Sequence, residues 1–585
     1  MEQSNKNLSN NKPTFSIYGI KDRNRMPYPS YTHDHNICLM QNGKVLFHLQ
    51  LERYTQRKYD NRLDEFLEEL IEKKLIELPQ EFDLVCVNSF VGSCFISQKG
   101  KLRFETVPKK YLSEKLEIGY AYYQFQDWEG KDVNAYSCSQ ELAHVGACLP
   151  FFGNFKENSL LIHFDGGASV SNFSAFHFKD NQLKLLEYSW DLKYLSNFFN
   201  DNAFTFQIIG VKTGEHTSVP GKLMGYACLG EYDEEIETWL AANNYFKAYW
   251  DKPNEILKSI QLEFGKTLIN FDNKEIFFQN VAATFQKIFE RETLKKIETI
   301  QNKINADYLY YSGGCALNII TNTKLVEKKL FLDIFIPPCC NDSGLSLGGA
   351  ALLEWQKGNQ ISIHSPYLNN VGLPVLDNEP SSDVIQKTAQ ILLSNGIVGV
   401  CNGNAEAGSR ALGNRSLIAL ANNKELARFL SMEVKKREWY RPLAPVMLKT
   451  VAEMVVGKPI HHLFISEIIC YEDKVAEMVV GKPIHHLSKF MLLDFEIKEE
   501  FKAQLEGVIH ANNTARIQTI SDKSENPFIF ELLNFLLKNY GILGLINTSF
   551  NAQGEPIVHT PEMAIESAKK MNLNGLIVNN KFYNL

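Results

Sequence analysis

The residues of this chain best suited to chemistry form a cationic group and a Gly-rich group. The run Glu406-Ala407-Gly408-Ser409-Arg410-Ala411-Leu412-Gly413-Asn414-Arg415-Ser416 sets two arginines five residues apart in a Gly-flanked segment. Guanidinium forks match phosphate oxygens. Downstream come Lys435-Lys436-Arg437, Arg441-Pro442-Leu443-Ala444-Pro445, Thr514-Ala515-Arg516 and the turn Asn547-Thr548-Ser549-Phe550-Asn551. Together these bases and small polar turns can build an anion pocket; singly, each Arg or Lys reads as a solvated surface charge. The Gly-rich group is Asp165-Gly166-Gly167, Ser312-Gly313-Gly314 and Asp342-Ser343-Gly344, each following an apolar run. Such turns let backbone N–H groups approach a phosphate, and a following helix N-terminus adds a favourable dipole. Taken alone, each is simply a tight turn. A Walker A loop is absent, because Gly265-Lys266-Thr267 has Ile260 where the first glycine is required.

Short elements must position these residues. Phe15 to Ile20, Asn36 to Met40 and Lys44 to Leu51 read as strands, the last two joined by the Asn42-Gly43 hairpin signal. Apolar runs at Leu160 to Phe164, Tyr308 to Tyr311 and Gly396 to Cys401 end in turns, and helical periodicity runs from Ala282 to Ile300. Strands mixed with helices predict an α/β protein, α+β overall. At 585 residues the chain exceeds the size of a single core. The polar stretch 356–382, with Pro366, Pro374 and Pro380, reads as a linker between domains at 15–355 and 383–585. Residues 1–14, polar and Asn-rich, are expected to be disordered.

Composition excludes some functions. With 44% hydrophobic and 22% charged residues and a net charge of −7, the chain is an ordinary globular protein without a basic field for phosphate backbones. A nucleic-acid substrate is disfavoured. None of the eleven cysteines forms a C-x-x-C pair, no apolar run reaches about 20 residues, and the start lacks a secretory h-region, so a cytoplasmic protein with no membrane partner is expected. One anomaly is internal: VAEMVVGKPIHHL at Val451 to Leu463 recurs letter for letter at Val475 to Leu487. Two copies do not make a solenoid, so 451–487 reads as a local duplication whose extra copy bulges from the surface. Its His461-His462 and His485-His486 pairs lack i,i+4 spacing and a carboxylate partner, against a metal reading.

In this order the segments resemble the NodU/CmcH-type O-carbamoyltransferase family. The resemblance runs from about Ser16 to Asn584 and is most specific at SRALGNRS (Ser409 to Ser416), RPLAPV (Arg441 to Val446) and NTSFNAQGEPIV (Asn547 to Val558). SGGCALN (Ser312 to Asn318), GKLMG (Gly221 to Gly225), His33-Asp34 and Glu52-Arg53 join them. It implies a two-lobed N-terminal domain of the actin-like ATPase superfamily, related to the tRNA threonylcarbamoyladenosine transferase, followed by a YrdC-like α/β domain. The YrdC-like half would convert carbamoyl phosphate and ATP into carbamoyladenylate, with Arg410, Lys435, Arg441, Arg516 and Ser549 at the anion-binding positions. The first domain would pass the carbamoyl group to a hydroxyl of a small-molecule or sugar acceptor. There the resemblance implies His33 as general base or orienting group and Lys58 as a contact to carbonyl or phosphate. Asp165, Gly166, Gly167, Gly313, Gly314 and Asn318 would line the nucleotide.

The metal position departs from the family pattern of two histidines four apart on a helix plus a distant Asp. His144 is present, Gln140 occupies the first position, and Asp342 supplies the carboxylate. An amide oxygen with Asp342 favours a hard ion such as magnesium, iron being the other candidate. Glu141 points about 100° away on an ideal helix. Two other readings stay open: threonylcarbamoylation of tRNA, and a nucleotide-binding regulatory protein that has lost catalysis.

Overall fold

Both residues of the Asn42-Gly43 turn have positive φ, 51° and 74°, as a two-residue primed turn requires. In the computed structural model, residues 12–21, 32–89, 94–105, 122–126, 132–195, 209, 216–242, 253–266, 272–376, 378–456 and 485–585 are described. The turn joins β2 (Asn36–Gln41) to β3 (Lys44–Gln50), and β2 pairs antiparallel with β1 (Thr14–Tyr18). β1 begins inside the segment expected to fray; residues 1–11 lie outside the described ones. On its other side β1 runs parallel to β4 (Asp83–Val87), which runs parallel to β8 (Asp132–Cys138). Beyond β8 lie β7 (Tyr122–Gln126), β6 (Arg103–Glu105) and β5 (Cys94–Ile96).

The second sheet repeats the pattern. β9 (Ser159–Phe164), β10 (Phe173–Lys179) and β11 (Gln182–Ser189) form an antiparallel meander, and β12 (Tyr308–Ser312) and β13 (Asp333–Phe335) add in parallel beside β9. In both sheets the order is third, second, first, fourth, fifth, with β8 in the fifth place of the first sheet. This duplicated α/β topology is the two-lobed arrangement the resemblance implied. Every residue of β9 is buried. Leu160, Ile162 and Phe164 pack with the long helix Ile276–Ile304, where Phe289 stacks on Phe164, while Leu161 and His163 face the opposite side.

The C-terminal sheet is mixed and has the order β19-β16-β20-β15-β14-β21-β22. Its strands are β14 (Val398–Cys401), β15 (Arg415–Leu420), β16 (Ala444–Leu448), β19 (Gln518–Ile520), β20 (Leu545–Ser549), β21 (Gly575–Val578) and β22 (Lys581–Tyr583). A two-stranded ribbon, β17 (Phe495–Glu496) with β18 (Thr514–Ala515), lies apart from it. The stretch 356–382 runs from the end of the helix Leu345–Gln356 to the start of the helix Ser382–Leu393 and is firmly held. Asn369 within it is buried and exchanges hydrogen bonds with Gln50 at 2.6 and 2.8 Å, and its amide also donates to Glu406 O at 2.6 Å. One side chain thus clamps the end of β3 to the loop that carries Arg410. Residues 457–484, with His461, His462 and most of the second copy of the duplication, lie outside the described residues. Among the described residues no helix is long and apolar enough to cross a membrane.

Candidate active site

Ser139 caps the helix Gln140–Gly146, its hydroxyl accepting from Leu142 N at 3.2 Å, and i,i+4 spacing puts Gln140 and His144 on one face. Asp342 opens the turn that enters the helix Leu345–Gln356. The two helices meet closely at Gly348, where a methyl group would lie 1.8 Å from Ala143 O. This seats Asp342 Oδ1 3.3 Å from His144 Nε2 and 3.3 Å from Gln140 Nε2, while Tyr18 donates to Asp342 Oδ2 at 2.8 Å. Asp165, just past β9, accepts from Gly166 N at 2.5 Å and from Gly314 N, and its Oδ2 is 3.6 Å from His144 Nε2. His33 Nδ1 is 3.0 Å from Asp34 Oδ2 and 3.9 Å from Asp342 Oδ2.

Crowded carboxylates set the charges here. Burial alone would depress the His33 imidazole, but Asp342, then Asp34 and Asp165, outweigh it and hold its pKa at about 10. Burial would raise Asp342, yet His33 and His144 pull it down to about 2. Asp165 is raised, first by burial and then by Asp342. His33 is therefore a cation at neutral pH, fit to orient a hydroxyl; it can accept a proton only when another cation offsets Asp342. His144 Nδ1 lies 3.1 Å from Cys340 O, an oxygen that also accepts from Gly313 N and Ser312 Oγ. A carbonyl cannot donate, so Nδ1 carries a proton, and Nε2 faces Asp342 and Asp165, carboxylates that raise the imidazole pKa against the depressing effect of burial. These donors fit a divalent cation.

The second site has the opposite character. Arg410, Arg437, Arg441 and Arg516 lie within each other's electrostatic reach, with Lys435 and Lys58 beside them. Burial and then neighbouring cations lower Arg410 to about 10 and Arg437 to about 9, and push Arg516 well down. Buried Nε groups of Arg410 and Arg516 have no acceptor. Unpaired guanidinium N–H groups massed under desolvation suit an anion. Glu406 shapes its loop, Oε1 accepting from Leu412, Asn414 and Arg415 backbone N–H groups at 2.7, 2.9 and 3.1 Å.

The sites adjoin. A methyl group at Gly408, where φ is +103°, would lie 2.2 Å from Pro338 O, so the arginine loop lies directly on the Pro338–Cys340 segment. Arg410 and the Cys340 thiol influence each other's ionisation, and the Cys340 carbonyl is the one that holds His144. Arg53, fully buried, crosses from the N-terminal side and donates through Nη2 to Gly408 O at 2.8 Å. Lys222 of the GKLMG segment pairs with Glu438 at 2.7 Å, and Glu438 lies 3.5 Å from Arg441.

The structure thus brings together His33, His144, Asp165, Asp342, Gly166 and Gly314 in one place and Arg410, Arg441 and Arg516 in another. Three expected contributions differ. Gln140 meets Asp342 through its amide nitrogen, which has no lone pair, so it holds the carboxylate and is not itself a donor to a metal. Asn318 caps the helix Ile319–Glu327 and exchanges hydrogen bonds with Gln286 at 2.9 and 3.1 Å, which uses up its amide. Lys435 is enclosed by Ser549 O and by Asn551 O and Oδ1 at 2.7 and 2.9 Å, so it shapes that turn, and Ser549 Oγ donates to Asn551 Oδ1 at 2.6 Å. The second-copy histidines do have a carboxylate partner: Asp333 Oδ1 lies 3.2 Å from His485 Nε2 and 3.0 Å from His486 Nε2. That partner comes from a distant strand, invisible to local spacing. His485 Nδ1 accepts from Leu487 N, so its Nε2 carries the proton and the trio fastens a surface turn.

Sequence reasoning names Arg437, whose Nη2 lies 3.4 Å from Ser549 Oγ, and Arg53 only within longer motifs without a role of their own, and it passes over Tyr18 and His163. For His163 a signal exists: His-x-Asp at a strand end puts His163 and Asp165 on one face.

Comparison with known proteins gives the family of the chain. Residues 109–352 match the model of the carbamoyltransferase N-terminus and residues 389–584 that of the carbamoyltransferase C-terminus. An uncharacterized protein of Methanocaldococcus jannaschii is 26% identical, the match covering 94% of this chain and 97% of that protein. Nodulation protein NolNO of Sinorhizobium fredii is 25% identical over 94% of this chain and 78% of its own length. Among solved structures, full-length HypF in its phosphate- and nucleotide-bound form is 13% identical with a TM-score of 0.30, covering 59% of this chain and 55% of that one. With both halves of one family's model in order along it, the chain belongs to the carbamoyltransferase family and is a carbamoyltransferase.

Proposed function

We propose that this protein is an ATP-dependent O-carbamoyltransferase that works through carbamoyladenylate. At the C-terminal site carbamoyl phosphate loses its phosphate to water, and an oxygen of the resulting carbamate attacks the α-phosphorus of ATP. Pyrophosphate leaves. Arg410, Arg437, Arg441 and Arg516 neutralise the phosphate oxygens and the charge that develops during displacement. At the N-terminal site a hydroxyl of a small molecule or sugar attacks the carbamoyl carbon and AMP leaves, with Asp165, Gly166, Gly167, Gly313 and Gly314 around the nucleotide. His33, braced by Asp34, orients the acceptor hydroxyl, and Lys58 contacts the carbonyl or phosphate. A divalent ion held by His144, Asp342 and Asp165 would supply Lewis-acid polarisation of the carbamoyl carbonyl.

The observation that carries this reading is adjacency: the cations that would make the mixed anhydride lie against the loop whose Cys340 carbonyl orients His144. The test is incubation of folded protein with ATP, carbamoyl phosphate and magnesium, without acceptor, followed by mass spectrometry. Carbamoyladenylate is expected; its absence, with pyrophosphate also absent, would overturn the reading.

A further inference from the structure

Gln140 stands four residues before His144, where the family pattern has an imidazole, and its amide nitrogen is turned to both oxygens of Asp342, at 3.3 and 3.4 Å. A second imidazole reaches the place from a different element. His163, on β9, is fully buried, and its ring stacks on that of His144 with centroids 4.9 Å apart and an interplanar angle of 23°. Its Nε2 has no hydrogen-bond partner, while its Nδ1 lies 3.4 Å from Ser174 Oγ on the neighbouring strand. One ring nitrogen each of His144 and His163 and a carboxylate oxygen of Asp165 lie within 4.8 Å of one another.

We propose that His163 supplies the second imidazole of a divalent-metal site made with His144 and Asp165, with Asp342 as a fourth donor. The inference rests on the transfer-site reading above and changes what the site selects. Four features support it. Strand alternation gives His163 and Asp165 a common face, so one backbone segment delivers two donors. A buried imidazole nitrogen without a partner is rare unless something else takes its lone pair. The Cys340 carbonyl keeps His144 Nδ1 protonated, which leaves Nε2 as the nitrogen a metal would take. Asp342, whose Oδ1 lies 3.3 Å from His144 Nε2, is held by Tyr18 at Oδ2 and by the Gln140 amide, as an orienting outer layer should hold it. Metal–nitrogen bonds of about 2.0–2.1 Å require the donors to draw inward slightly, which side-chain rotation provides. Two imidazoles with carboxylates favour zinc, iron(II) or cobalt(II) over magnesium.

The test reads metal, not turnover. Apo-protein is titrated with cobalt(II), followed by its visible spectrum, and zinc-loaded protein is examined by X-ray absorption to count imidazoles. One ion per chain with two imidazoles is expected. His163→Gln should weaken cobalt binding by well over about 100-fold, more than an outer-layer change does, whereas Gln140→Ala, an outer-layer change, should weaken it only about 10-fold. A single imidazole in the wild type, no bound ion, or tight binding by folded His163→Gln overturns the proposal. The absorption measurement needs no variant, so it stands if His163→Gln fails to fold. Metal bound through His163 in a protein that makes no carbamoyladenylate would sink the functional reading and leave this one intact.

Discussion

The two sites solve opposite electrostatic problems within one chain. Around His144 three carboxylates, Asp34, Asp165 and Asp342, are countered by imidazoles, and His33 is held protonated. Around Arg410 the excess is of the other sign: burial and then neighbouring arginines lower Arg437 and Arg516, and Nε groups of Arg410 and Arg516 point at no acceptor. Neither arrangement is a stable way to bury charge without a partner, because desolvation is not repaid. On the proposed function, the comparison teaches that each site is built to be completed, one by a cation and the other by polyanions.

The sharpest way to break this comparison is to remove one site at a time. Arg441→Ala should lower carbamoyladenylate formation by about 100-fold or more, the scale for losing one preorganised charge contact, yet spare transfer from supplied carbamoyladenylate. His33→Asn should do the reverse. If either variant loses both steps, the sites are not separate.

Next in size is stabilisation by ligand. Pyrophosphate at about 100 times its dissociation constant should add about 2.7 kcal/mol of stability, read as a rise in Tm. Arg516→Met should abolish that rise while leaving the ligand-free protein as stable or slightly more so, since it removes one of several mutually repelling buried charges. A fall in ligand-free Tm would show that Arg516 is paired after all.

Arg53 links the two regions. Losing its charged hydrogen bond to Gly408 O in Arg53→Met should cost about 2 kcal/mol in denaturant unfolding. It should also let carbamoyladenylate escape into solution during turnover. An unchanged midpoint with no released adenylate would remove Arg53 from the junction.

A further effect lies outside both sites. His48 and His559 are buried neutral, burial lowering each to about 3. The unfolded chain, with imidazoles near about 6.5, binds more protons in that window, so stability should fall as pH drops from about 6.5 toward 3. His559→Gln should flatten that slope in pH-dependent unfolding; a steeper one would contradict the assignment.

How much of this was legible depends on the range of each signal. The Asn42-Gly43 hairpin, the strands at Phe15, Leu160 and Tyr308, and the long helix at Ala282 follow from local periodicity and turn chemistry, and all are present. The i,i+4 placement of Gln140 and His144 was equally readable. The Asp333 partner of His485 and His486 was not, since 152 residues separate Asp333 from His485. Nor was the role of Gln140: a sequence gives an amide its position but not which end faces Asp342. His163 lies between these cases, its face fixed by alternation but its stacking on His144 set by how β9 meets a helix.

The most direct test of the whole account is the fate of ATP. Phosphorus NMR of a reaction holding the protein, ATP, carbamoyl phosphate, magnesium and a hydroxyl acceptor should show pyrophosphate and AMP accumulating together, with inorganic phosphate from carbamoyl phosphate. Conversion of ATP to ADP, or carbamoylated acceptor formed with ATP untouched, would contradict the adenylate route on which both sites are interpreted.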